Sequence, residues 1–151
     1  FSKFDTIVTI DGDGQNNPLD IIKLVNTYKK YGSKLVSGIR LKRKDTYIKK
    51  ISSKIANRIR SFILNDRCLD TGCSLKVFDK EVFLKLRFFS GIHRFIPALF
   101  LAYGHKATYV NVDHRFRKSG KSKYGTLDRL FIGTIDLIRV IIIINKIKLQ
   151  K

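Results

Sequence analysis

The residues best suited to chemistry stand early in the chain, in the run Thr9-Ile10-Asp11-Gly12-Asp13-Gly14-Gln15-Asn16-Asn17-Pro18, where an apolar stretch ends in two carboxylates one residue apart. On a strand, residues i and i+2 share a face, so Asp11 and Asp13 are expected to project together where the strand gives way to a loop. Two carboxylates and the nearby amide oxygen of Gln15 are hard ligands, which suit Mg²⁺ or Mn²⁺ shared with substrate phosphates better than zinc. Asp, Gly, Asn and Pro also build turns, so these residues alone leave a metal site and a plain turn both open. A calcium loop of the EF-hand type fails, because Asn16 sits where the sharp-turn glycine is needed and Ile22 where the bidentate Glu should be.

Other candidate groups lie further along. Asp70 precedes Thr71-Gly72 at a polar entry into a strand, where it reads either as a general base or as a turn or cap residue. The segment from His114 to Gly125 carries five Arg/Lys within nine positions, and two glycines. Such a loop can fold over phosphate groups, its Arg side chains making paired contacts, or it can be a basic surface loop. His93, beside Arg94 and without a second ligand at metal spacing, reads as a hydrogen-bonding or interface histidine. Cys68 and Cys73 match neither a zinc spacing nor a disulfide framework, and are expected to be reduced thiols in a cytosolic setting.

The elements that must position these groups follow from periodicity. Phe4 to Ile10 reads as a buried strand, Pro18 opens a helix with an apolar stripe of Ile21, Ile22, Leu24, Val25 and Tyr28, and Lys34 to Ile39 is a second strand. Strand, helix, strand at this length predicts parallel strands with Arg40 at the end of the neighbouring one, facing the acidic pair. A helix is expected from Tyr47 to Leu64, its apolar positions Ile48, Ile51, Ile55, Ile59, Phe62 and Ile63 set against Lys49, Lys50, Lys54, Arg58 and Arg60. That pattern fits a helix packed on the core with a basic outer face, or one lying on a membrane surface. Asp79 is expected to cap a short helix, His93 to begin another that Gly104 closes, and Ala107 to Asp113 to form a strand. Thr126 to about Ile147 reads as a long apolar helix with a basic end.

At 151 residues with 44% hydrophobic content, the chain has enough material for one folded core. Its 31 Lys+Arg against 12 Asp+Glu give a formal charge of +19, which favours polyanions, phosphorylated substrates and anionic surfaces as partners. The basic residues are spread over separate loops and helices without a recognisable reader fold, so no nucleic acid is expected as a partner, and a catalytically inactive basic module for a membrane surface or nucleic acid stands as the alternative reading. The most apolar tract, Leu130 to Ile144, is interrupted by Asp136 and Arg139 and falls short of the roughly 20 apolar residues of a spanning helix. No signal peptide is visible. The chain contains no methionine and opens almost at once on a strand signal, so it is expected to be a piece of something longer.

Five runs then occur in order: D-G-D-G-Q-N-N-P from Asp11, Ser37-Gly38-Ile39-Arg40, D-T-G-C-S-L-K-V-F from Asp70, H-R-F-I-P-A-L from His93, and H-R-F-R-K-S-G-K-S-K-Y-G from His114. This series resembles the family 2 glycosyltransferases, in the bacterial form of the dolichol-phosphate mannose synthase and polyprenyl-phosphate glycosyltransferase branch, over almost the whole chain. The resemblance implies an α/β GT-A (Rossmann-like) fold with a mixed sheet flanked by helices. It implies metal-dependent inverting transfer of a sugar, mannose or a similar hexose, from GDP-mannose or a UDP-sugar to a polyprenyl phosphate at the cytoplasmic face of a bacterial membrane. Residue by residue, Asp11 and Asp13 match the metal and donor aspartates and Gln15 the adjacent metal-site glutamine. Asp70 matches the aspartate taken as catalytic base or acceptor-positioning group. Arg40, Arg115, Arg117, Ser122 and Lys123 match positions near the donor diphosphate and the lipid phosphate. Two departures are the second glycine of D-G-D-G, where a bulky apolar residue is commoner, and Lys76, where many relatives have Arg. The resemblance divides the chain into a partial glycosyltransferase domain, 1–125, and a membrane-associated helix, 126–151. Nothing here corresponds to the base-binding strand and loop that begin the family, so the chain is expected to be the C-terminal two-thirds of such an enzyme and inactive alone.

Overall fold

A computed structural model describes residues 3–40, 47–115 and 126–150. Among them the order is β1 (Thr6–Thr9), α1 (Leu19–Tyr31), β2 (Leu35–Arg40), α2 (Tyr47–Leu64), β3 (Lys76–Asp79), α3 (Lys80–Leu84), a 3₁₀ turn (Ile92–Arg94), α4 (Ile96–Ala102), β4 (Ala107–Val112) and α5 (Thr126–Leu149). The strands form one mixed sheet in the order β1-β3-β2-β4. β3 runs antiparallel to both of its neighbours, with Thr9 opposite Lys76 on one side and Ser37 opposite Lys76 on the other. β2 and β4 are parallel, with Arg40 opposite Val112.

The sheet is buried on both faces where β2 and β3 lie, and adjacent residues divide between two cores as the strand period requires. Leu35 and Phe78 join Leu99 and Phe100 of α4 and Val140, Ile143 and Ile144 of α5 on one side. Val36 and Val77 join Leu24 of α1, Leu75 and Val112 on the other. α5 is therefore part of the main core along its inner stripe.

Several expectations need correction. β1 and β2 do point the same way, but β3 is inserted between them, so Arg40 does not lie on the strand next to Asp11. β1 is shorter than expected and is an edge strand with Val8 and Ile10 exposed, because only β3 pairs with it among the described residues. Ile22 of α1 is exposed as well. Among the described side chains of α2, the apolar stripe is not packed on the core: Ile51, Ile55, Ile59 and Ile63 are exposed and Phe62 is 88% exposed, while the basic Arg60 is buried. Arg60 turns inward because Asp66 accepts both of its terminal nitrogens, at 2.6 and 2.9 Å. Both cysteines are free, as expected, and both are buried, which pushes the Cys68 thiol up to about 11.

The junction of β3 and α3 is stapled by Asp79. Its carboxylate caps α3 by accepting from the Val82 amide at 3.0 Å and pairs with Lys34 Nζ at 2.7 Å. Burial pushes the Asp79 carboxyl up, but the Lys34 ammonium and the cap amide outweigh it and hold the group below its ordinary 3.8. A carboxyl lowered on folding stabilises above its unfolded pKa, and that contribution disappears as pH falls through the folded value. Asp79→Ala in the full-length protein is expected to cost about 1–2 kcal/mol in urea denaturation at pH 7. The gap between variant and wild type should narrow as the pH is taken below 3.8.

Candidate functional site

Because β3 runs against its neighbours, its amino end lies beside the carboxyl ends of β1, β2 and β4. The chain segments 10–17, 70–76 and 113–115 thus meet at one edge of the sheet, the position at which open α/β sheets bind ligands. Ser74 ties the first two together. Its Oγ accepts from the Asp11 amide at 3.1 Å and from Asn16 Nδ2 at 3.0 Å, and its carbonyl accepts from Thr9 Oγ1 at 2.8 Å. The third segment is stitched on by a bridge between Asn16 and His114. Within it the Arg115 amide donates to the Gln15 carbonyl at 2.8 Å, and the Arg115 guanidinium donates to Asn17 Oδ1 at 3.0 Å.

Asp11 and Asp13 stand in this loop beyond the end of β1, not on the strand, so the strand period does not set their direction. A local turn does: Asp13 Oδ1 accepts from the Gln15 amide at 3.1 Å, across Gly14 at φ +73°. Glycine suits that left-handed position because it carries no Cβ. The Gln15 side chain donates to the Arg115 carbonyl at 3.4 Å. No group of three or more His, Cys, Asp and Glu side chains suited to a metal occurs among the described residues. The exposed Asp11 and half-buried Asp13 therefore offer an incomplete oxygen set, which fits Mg²⁺ or Mn²⁺ that keeps water and takes phosphate oxygens as its remaining ligands.

Asp70 is buried and engaged. Arg40 donates to it from Nε at 2.7 Å, from a terminal nitrogen at 2.7 Å and from its backbone amide at 3.1 Å. This fork joins β2 to the 70–76 segment across the sheet edge, and it places the two sequence candidates on each other. The same segment is held from below by α2, where Thr71 Oγ1 donates to Asn57 at 2.9 Å. Arg60 also reaches the Cys68 carbonyl at 2.9 Å. The Tyr109 hydroxyl donates to the Asp66 carbonyl. Arg117, Ser122 and Lys123 lie outside the described residues.

Beside these groups opens a cleft of about 670 Å³, lined by Asp11, Thr71, Ser74 and Lys76 together with His93 and Asp136. Phe78, Phe83 and Ile132 make part of it apolar. Lys76 was not among the site candidates, although a lysine inside Leu75-Lys76-Val77-Phe78 is a visible anomaly in a strand. It is 2% exposed, its Nζ donates to the Cys73 carbonyl, and burial lowers its pKa. Partial burial, with Arg94 and Lys76 nearby, lowers the His93 pKa below its ordinary 6.5, so the ring is neutral at pH 7. Sequence reasoning also missed Ser74 and Asn16, since a serine and an asparagine in loops carry no signal of the contacts they make. The cleft thus joins the exposed Asp11, a buried lysine and an apolar wall.

No family model matches the chain. It is 35% identical over 137 residues to a dodecaprenyl-phosphate galacturonate synthase of Rhizobium johnstonii, covering 89% of this chain and 40% of that protein. It is 32% identical over 134 residues to an undecaprenyl-phosphate 4-deoxy-4-formamido-L-arabinose transferase of an Enterobacter species, with coverage of 89% and 40%. The transferase of that name from Pectobacterium carotovorum is 30% identical over 123 residues, with coverage of 82% and 37%. The chain spans about 40% of the length of the curated relatives it matches first. The observed α/β architecture, a four-stranded mixed sheet flanked by helices, agrees with the GT-A fold expected from the sequence.

Removing the Ser74 hydroxyl should loosen the acidic loop without unfolding the sheet. In the full-length protein, Ser74→Ala is expected to lose about 1 kcal/mol of stability. Amide exchange at Asp11 should quicken in the variant, whereas unchanged exchange there would mean that Ser74 does not hold the loop.

Proposed function

Since the chain is homologous to polyprenyl-phosphate glycosyltransferases of family 2, we propose that it carries the acceptor side and the metal-binding aspartates of an enzyme that moves a sugar from a nucleotide sugar to a polyprenyl phosphate. The observation that supports this best is the meeting of Asp11 and Asp13 with the Arg40–Asp70 fork and Lys76 at one sheet edge, beside a partly apolar cleft.

Asp11 and Asp13, with Gln15 adjacent, would hold Mg²⁺ or Mn²⁺, which when bound supplies positive charge against the leaving diphosphate. The acceptor phosphate oxygen is already anionic and attacks the anomeric carbon from the face opposite the leaving nucleotide, so no strong base is needed. Asp70, with both oxygens on Arg40, fits a positioning role better than proton removal. Lys76 lines the cleft, and Arg115, bonded to the acidic loop through the Gln15 carbonyl and Asn17, adds positive charge at the same sheet edge. The resemblance assigns Arg117, Ser122 and Lys123, outside the described residues, to positions near the donor diphosphate and the lipid phosphate. Mannose, expected from the branch, is not carried forward, because the relatives are named for galacturonate and 4-deoxy-4-formamido-L-arabinose.

A lipid acceptor requires a membrane surface. No helix among the described residues is long and apolar enough to cross one. α2 and α5 instead expose apolar residues, Ile55, Ile59 and Phe62 on one and Phe131, Ile135 and Ile138 on the other, on a chain of net charge +19. Both helices fit peripheral attachment to the anionic cytoplasmic face of the membrane.

Labelled sugar transfer to a polyprenyl phosphate by the full-length protein is expected, and Asp13→Ala should lower it by roughly 100-fold or more. An unchanged rate would remove Asp13 from the metal site. Flotation with vesicles should depend on anionic lipid and weaken in Phe62→Ser. Flotation indifferent to lipid charge would contradict the surface reading.

A further inference from the structure

From Phe131 onward, the buried positions of α5 are apolar except at Asp136. Asp136 stands one turn before Val140 in the register that continues to Ile143 and Ile147, yet it is a carboxylate and only 3% exposed. Burying a charge is unfavourable unless partners hold it. Arg94 donates to Asp136 Oδ2 at 2.6 Å from the 3₁₀ turn, and Arg139 donates to Oδ1 at 3.2 Å from the next turn of α5. Each guanidinium also lies over a phenylalanine ring, Arg94 on Phe95 and Arg139 on Phe89.

The backbone is shaped around this pair. Gly91 has φ +93°, and a Cβ there would collide with Oδ2 of Asp136 and lie 3.0 Å from the Arg94 guanidinium. Gly133 of α5 lies beside the same guanidinium, where a Cβ would sit in ordinary contact, 3.6 Å from its other terminal nitrogen. The residues so joined line the cleft: Gly91, His93 and Arg94 from the turn, Ile132 and Asp136 from α5.

We propose that Asp136 is a positioning residue which, through Arg94, fixes α5 and the 90–94 turn as one rigid wall of the cleft, and thereby sets how the lipid-phosphate acceptor enters. This rests on the acceptor reading above. Asp11 and this wall line the same cleft, with the wall assigned to the acceptor and Asp11 to the donor side. The outer face of α5 exposes Phe131, Ile135, Ile138 and Ile142, so the same pair connects the surface offered to lipid with the interior of the cleft.

The test uses full-length protein carrying Asp136→Asn, which keeps the shape and removes the charge, and separately Gly91→Ala, which disturbs the same contact from the other side. Both are expected to raise the KM for polyprenyl phosphate roughly tenfold while the donor KM stays within about twofold. Hydrogen exchange should quicken in both the 90–94 turn and α5 around Asp136. The charge-swapped pair Arg94→Asp with Asp136→Arg should recover part of the acceptor KM. Equal changes in both KM values, or none in either, would reduce the pair to a structural contact and overturn the proposal. If wild-type protein transfers no sugar, the enzyme reading falls, and the exchange measurement still decides whether the turn and helix are joined through Asp136. Unchanged exchange in both variants overturns the joint.

Discussion

The direction of β3 is the constraint on which the site depends. A strand running against both of its neighbours brings its own entry segment to the edge where those neighbours end, so residues 70–76 arrive beside Asp11 and Arg40 although they are remote in sequence. Had β1 and β2 been adjacent, the acidic loop and Arg40 would have faced each other directly, with no place between them for the Asp70 segment. Inserting β3 instead makes Asp70 the partner of Arg40 and Ser74 the partner of the acidic loop. The cleft is lined by that segment, by Asp11 and by Ile132 and Asp136 of α5.

Charge is handled inside this framework by pairing. Arg40 with Asp70, Arg60 with Asp66 and Arg94 with Asp136 each place a guanidinium on a carboxylate that is at most 5% exposed in its side chain. Such pairs add little net stability against an apolar alternative, but breaking one leaves a buried charge without its partner. They therefore specify geometry more than they stabilise. Arg94 and Asp136 line the cleft, and two of the pairs hold α2 and α5, the helices with the largest exposed apolar faces among the described residues.

Much of the fold was legible in the sequence, and the failures have identifiable causes. The α2 boundaries, the Gly32 stop, the Asp79 cap and the Gly104 stop follow from local periodicity and turn chemistry, and each is found. The inward face of α2 was not legible, because a stripe of isoleucines opposite a basic face fits a core helix and a surface helix equally well. Contacts with the 66–71 loop beyond the helix, Arg60 with Asp66 and the Cys68 carbonyl and Asn57 with Thr71, hold the orientation. Strand adjacency was misjudged for a related reason: a strand, helix, strand pattern gives direction, while neighbours are settled by pairing with β3, remote in sequence. Of the site, the aspartates, Arg40 and Asp70 could be named from type and spacing. Ser74, Lys76 and the Asp136 contact depend on which segments meet in space.

The central claim is that the acidic loop forms a cation site facing the 72–74 segment and Arg115. Titrating Mn²⁺ into isotope-labelled full-length protein, with a nucleotide diphosphate present, tests it most directly through paramagnetic loss of amide signals. The account predicts that signals of Asp11 to Gln15, Gly72 to Ser74 and Arg115 disappear first, and that Asp13→Asn prevents this. Broadening that centres elsewhere, or that persists unchanged in Asp13→Asn, would contradict it.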